Sequence, residues 1–159
     1  MMKPILLAVL VLAIAACNVR ESKMTSHPVN LDSIKQVLMK ADKDFSDLSK
    51  VKGRNFSFLE YMDKDVTFLR DNGMPLLGKD TMQKRFAVRP DTSYVLTWKP
   101  LFADVASSGD LGYSYGRWLL VTTTNDSSEG TYCTIWKSDS AGNWKYVLDT
   151  GNEGLKEKK

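Results

Sequence analysis

The sequence predicts an α+β domain, with helices packed over one face of an antiparallel sheet. Three observations predict it. Apolar residues near residues 31–48 recur at helical spacing. After residue 92 the chain turns to segments rich in β-branched and aromatic residues. Short polar turns join those segments, which favours a meander of neighbouring strands. Helices first and strands afterwards place the helices together on one side of the sheet.

Each element has a local reason. Leu31, Ile34, Leu38, Ala41, Phe45 and Leu48 are spaced 3, 4, 3, 4 and 3, one face of an amphipathic helix. Asn30 or Asp32 can cap its start, and Gly53 lies just past its end. Asp42, Asp44 and Asp47 are expected on its solvated face. A shorter helix is expected from about Asn55 to Met62, then a strand at Val66-Thr67-Phe68-Leu69. Asp71-Asn72-Gly73 is a tight turn, with Gly73 available for positive φ. Leu76-Leu77 is a short strand. Gly78 opens a third helix in which Met82 and Phe86 share a face, and Arg89-Pro90-Asp91 ends it. Strands are expected over 94–106, with Pro100 at a bulge or an edge, then over 111–123, 130–137 and 144–149.

The front of the chain carries an address. Lys3 precedes twelve apolar residues, Ile5 to Ala16, and Ile14-Ala15-Ala16 precede Cys17. This is the layout of a secretory signal. Twelve residues reach about 18 Å as a helix, against a hydrocarbon core of about 30 Å, so a membrane-spanning helix is disfavoured. The Ile-Ala-Ala-Cys ending resembles the lipobox of bacterial lipoproteins. That resemblance implies that residues 1–16 are removed and that Cys17 becomes a lipidated first residue. Two or more acyl chains would anchor the domain stably in the cell envelope. Plain secretion is the alternative. Asn18 stands where some Gram-negative lipoproteins carry a retaining Asp, which tilts toward the outer membrane in such an organism. Residues 17–30 then read as the lipidated Cys and a tether, 31–152 as one domain, and 153–159 as a basic tail.

Without residues 1–16 the chain has 21 basic and 19 acidic side chains. That balance, with no basic cluster outside the tail, argues against nucleic-acid binding. Only Cys17 and Cys133 are present. With Cys17 acylated no disulfide can form, and Cys133 reads as a buried, inert thiol. The sole histidine, His27, falls in the tether. No triad, phosphate loop or metal motif is present, and no cofactor is expected.

The back half carries a more specific pattern. The segment Trp98-Lys99-Pro100-Leu101 with Ala103 to Gly116, then Gly130-Thr131-Tyr132 with Thr134-Ile135-Trp136-Lys137, then Gly142 to Asn152, resembles the DUF4440 branch of the SnoaL-like and ketosteroid-isomerase-like superfamily, the NTF2-like (cystatin-like) cone. The resemblance extends more loosely over residues 31–152. It implies a curved sheet wrapped around a long helix, with a cavity between the concave face and the helices. Some relatives are isomerases, cyclases or dehydratases, so the fold does not decide the function.

Within such a cavity the candidate ligand-binding residues are Trp98, Tyr113, Tyr115, Tyr132, Trp136 and Asp149. Tyr113 and Tyr115 share a face of their strand with Leu111, Arg117, Leu119 and Val121, and can send phenols into the cavity or pack as sheet aromatics with wet hydroxyls. Asp149 closes the last strand. There it is either a carboxyl of raised pKa acting as acid or base, or an acceptor for Trp98 or a nearby Tyr. Arg117 pairs with Asp149 or an anionic ligand, or sits exposed across the strands. Gly112 and Gly116 mark curvature or a close approach. Three functions follow: a cavity for a small, mostly apolar molecule; an enzyme using Asp149 with Tyr115 as donor; and an interaction module that dimerises through the sheet.

Overall fold

The computed structural model describes residues 30–154. The signal segment, Cys17, the tether with His27 and the last residues of the tail lie outside the described residues. Three helices, α1 (Leu31–Lys52), α2 (Arg54–Tyr61) and α3 (Lys79–Ala87), join six strands. These are β1 (Met62–Phe68), β2 (Leu76–Leu77), β3 (Tyr94–Val105), β4 (Leu111–Thr122), β5 (Ser127–Ser138) and β6 (Trp144–Glu153). They form one sheet in the order β2-β1-β6-β5-β4-β3. Strands β3 to β6 are the expected meander. The one parallel pairing among the described residues, β1 with β6, attaches the β1–β2 pair to the last strand of that meander.

Local chemistry sets the element ends. The Asn30 side chain caps α1 by accepting from the Ser33 backbone N–H at 3.1 Å. Gly53, at φ 86°, separates α1 from α2. Positive φ in the turn after β1 falls on Asn72 (φ 52°), not on Gly73 as expected. The β3 register slips between Pro100 and Phe102, so the bulge falls where Pro100 interrupts the ladder.

The buried stripe of α1 is Leu38, Asp42, Phe45, Ser46 and Ser49. It is rotated from the purely apolar stripe, so the assignment of Asp42 to a solvated face is corrected: Asp42 is 1% exposed. The sheet supplies the reason. Strand β3 is an edge, and its unpaired backbone groups need partners. Ser46 Oγ accepts from Trp98 N at 2.7 Å and donates to Trp98 O at 2.8 Å. Ser49 Oγ donates to Leu96 O at 2.7 Å. Polar residues on the helix thereby close the edge that a hydrophobic stripe would leave open.

Phe45 is the hub of the core. Its ring stacks on Tyr61 and Tyr146 at 4.8 and 5.5 Å and meets Trp98 edge-on at 4.5 Å. Burying one such ring stabilises by about 1.5–3 kcal/mol, and the favourable ring pairs add about 0.5–1.5 kcal/mol each. Trp136, Tyr146, Met62 and Val66 complete the layer under α1 and α2.

Candidate functional site

Where α2 and the β1–β2 connection stand over the sheet, the interior is hollow. A cavity of about 290 Å³ is walled by Phe45, Phe58 and Phe68, by Leu96 and Trp98 of β3, and by Trp118 and Leu120 of β4. Tyr132 and Thr134 of β5 and Asp149 of β6 form its floor, and Arg54, Arg70, Asp71, Asn152 and Glu153 also border it. The wall is mostly aromatic and aliphatic, the usual character of a small-ligand site.

Strand pairing puts Asp149 opposite Thr134. The Thr134 hydroxyl donates to Asp149 Oδ1 at 2.7 Å. Among the described residues no protein donor reaches Oδ2. Asp149 keeps some accessible surface, and it borders the cavity; protein walls it off elsewhere. Burial therefore pushes its carboxyl up to about 7, with the Thr134 hydrogen bond opposing and the nearby Asp42 adding a little. Near neutral pH both protonation states are populated, so the group can accept or donate one hydrogen bond to a molecule in the cavity.

A second carboxylate lies deeper. Asp42 Oδ1 accepts from Trp98 Nε1 at 2.7 Å, and Oδ2 accepts from the Tyr132 hydroxyl at 2.8 Å. Burial raises the Asp42 pKa, while hydrogen bonding from Ser114, Tyr132 and Trp98 draws it back. Tyr132 in turn is held far above the ordinary phenol range, by burial first and then by the charge and hydrogen bond of Asp42. Asp42 thus fixes the orientation of two cavity side chains from behind.

The expected site residues separate into groups. Trp98, Tyr132 and Asp149 meet at the cavity. Trp136 is fully buried beside it and donates Nε1 to Ser114 Oγ at 2.9 Å. Tyr113 and Tyr115 do not enter: they lie on the outer face of the sheet, 40% and 45% exposed, which corrects the expectation that they project inward. The physical reason is on the opposite side of β4. Gly112, Ser114 and Gly116 must face α1, because a Cβ at Gly112 would stand 2.8 Å from Leu38 Cδ2 and one at Gly116 2.8 Å from Tyr132 Cε1. Arg117 pairs with Glu129 at 2.8 Å on that same outer face, away from Asp149. Sequence reasoning missed Asp42, Arg54, Trp118 and Thr134. The small-residue face of β4 was the available signal, since it continues directly into Trp118 and Leu120.

No family model matches the sequence, and no curated protein matches it. Solved structures do match. An NTF2-like superfamily protein from Salmonella enterica aligns with a TM-score of 0.61 at 13% identity, over 80% of this chain and 95% of that one. The fold is NTF2-like. A ketosteroid isomerase-like protein from Erwinia carotovora aligns with a TM-score of 0.60 at 8% identity, covering 76% of this chain and 96% of that one. A Catenulispora acidiphila protein, solved in complex with S-DNPA, gives a TM-score of 0.55 at 9% identity, over 73% and 90% of the two chains. The NTF2-like cone is shared with all three, while the narrower DUF4440 branch rests on the sequence resemblance alone.

Proposed function

We propose that this NTF2-like domain is tethered to the cell envelope through lipid on Cys17 and binds a small, mostly apolar molecule in its cavity. The observation that carries the reading is Asp149: one carboxyl near the middle of the pH scale, with one oxygen free of protein donors, bordering an aromatic hollow. Such a site binds by apolar contact and orients by a single polar group. The Catenulispora acidiphila protein in complex with S-DNPA supports a ligand-holding role for this kind of cone. Native mass spectrometry of the chain starting at Asn18, purified from its own host, tests it. The expected result is a bound mass that is lost in Asp149→Leu. A protein carrying no added mass, with no small molecule released on denaturation, would overturn the reading. Metabolic labelling with a fatty acid, lost in Cys17→Ser, tests the anchor.

Two other readings each have an observation behind them. Asp149 is also placed to relay a proton, but Tyr115, exposed on the outer face, is not the donor that would serve it. The outer face of β3 and β4 exposes Phe102 stacked on Tyr115 at 5.5 Å, beside Tyr113, with Leu119 exposed farther along β4. An aromatic patch of that kind suits pairing with a second copy.

A further inference from the structure

We infer that the cavity selects an amphipathic monocarboxylate, with its anionic head at Arg54 and Arg70 and its apolar body against Phe58, Trp98 and Leu96. This rests on the cavity-binding reading above and names its ligand class. Arg54 begins α2 and borders the cavity with Arg70, which follows β1. The Arg54 guanidinium lies 4.7 Å from the Phe86 ring centroid, 5.8 Å from that of Phe58 and 5.9 Å from that of Tyr94. Its Nη2 and Nε both donate to Asn55 Oδ1, at 2.6 and 3.2 Å. The aromatic cage and the amide fix the plane of the fork in advance, the condition under which Arg recognises a carboxylate well.

Positive charge is grouped on this side of the molecule. Arg85 and Arg89 join Arg54 and Arg70 in one cluster, and none of the four forms an ion pair among the described residues. Burial first, and then repulsion from Arg70, Arg89 and Arg54, holds Arg85 below its ordinary value. Acids are nearby but engaged or spread out. Asp91 Oδ2 accepts the Asn55 backbone N–H at 2.7 Å, while Asp71, Glu153 and Asp149 border the same cavity. Those three carboxyls outnumber the two bordering arginines and disfavour a doubly charged head such as a phosphate monoester, whereas a singly charged head can meet the caged Arg54 guanidinium, which forms no ion pair among the described residues. The volume of about 290 Å³ lies at the small end of the range for ligand pockets, roughly 300–1,000 Å³. A body of about eight carbons suits it.

Trp98 and Trp118 border the cavity, so tryptophan emission reports occupancy. The chain from Asn18 onward, which keeps the whole described core, is titrated at low salt with octanoate, octanol and octyl phosphate. The expected result is saturable binding of octanoate at least ten-fold tighter than octanol or octyl phosphate, with the margin shrinking as salt rises. Arg54→Gln is expected to bring octanoate to the octanol level, while Arg54→Lys retains part of the margin. If Arg54→Gln does not fold, Arg70→Gln on the exposed side carries the same comparison. Equal binding of octanoate and octanol would overturn the carboxylate inference and leave the cavity reading standing. Binding of neither would overturn the inference as well, with the native-mass experiment deciding the cavity separately. Tighter octyl phosphate would replace the head group and overturn the monoanion.

Discussion

Tyr132 donates its phenolic hydrogen bond to Asp42 across 2.8 Å, although Asp149 lies on the strand next to its own. The choice divides the interior into two carboxylates with different tasks. Asp42, closed in by an indole and a phenol, holds the wall in place. Asp149, reached among the described residues by Thr134 alone, is left for whatever occupies the cavity.

Removing Asp42 is expected to be structural in effect. Asp42→Ala leaves the Trp98 indole and the Tyr132 hydroxyl without an acceptor inside the protein. Orphaned buried donors cost about 1–3 kcal/mol each, so a loss of about 2–4 kcal/mol is expected, with Asp42→Asn losing less because its amide oxygen still accepts. Urea unfolding measures both. A variant as stable as the parent would show that the network carries no net stabilisation.

The pH dependence of stability follows from Asp149. Its folded carboxyl titrates at about 7, against about 3.8 for the ordinary group. Between those values the folded state binds the extra proton, so stability falls as pH rises from about 4 to 7 and levels off above. A shift of this size corresponds to a few kcal/mol at most. Asp42 titrates in the same direction, because its pKa is also raised. Denaturant midpoints of the parent and Asp149→Asn, compared at pH 5 and pH 8, are expected to show a shallower fall in the variant. An identical fall in both would place the titration elsewhere.

Ser46 is expected to matter more than an average helix serine. Its hydroxyl meets both the N–H and the carbonyl of Trp98. Ser46→Ala strands both groups behind the helix, for an expected cost of about 1–3 kcal/mol. Amide hydrogen exchange at Trp98 is the sharper readout, and an unchanged rate would contradict the edge-closing role.

Close packing makes two glycines intolerant. A Cβ at Gly116 would stand 2.9 Å from Pro100 Cα and one at Gly130 2.6 Å from Trp118 Cζ2. Overpacking of this kind costs about 1–3 kcal/mol. Gly116→Ala and Gly130→Ala are each expected to lower the melting temperature by several degrees, whereas Gly142→Ala, with open space around it but φ 84°, is strained by its backbone alone. Thermal melts of the three separate packing from conformation.

The outer sheet face gives a test of self-association. Phe102→Glu places a charge between Tyr113 and Tyr115, whose rings lie 6.1 and 5.5 Å from Phe102. Sedimentation velocity is expected to show a dimer for the parent and a monomer for the variant, at unchanged melting temperature. A parent that stays monomeric at high concentration would remove the dimer reading.

By itself the sequence determined the elements and their order. Helical spacing from Leu31 to Leu48, capping at Asn30, turn residues and β-branched runs are short-range signals, and they act through local backbone preferences that hold wherever the segment sits. The residues from Trp98 to Asn152 also carried the NTF2-like resemblance. Only the tertiary structure decided which face of each element looks inward. Period-two alternation divides β4 into two faces and cannot say which is concave; the glycines that admit Leu38 and the Tyr132 ring settle it. In the same way Asp42 reads as solvent-facing until β3 appears as an open edge with an indole beside it. Nothing in the local sequence marks Arg54 until Phe58, Phe86 and Tyr94, drawn from three elements, surround it. Burial and partnership are properties of residues brought together from far apart in the chain, and local pattern holds no record of them.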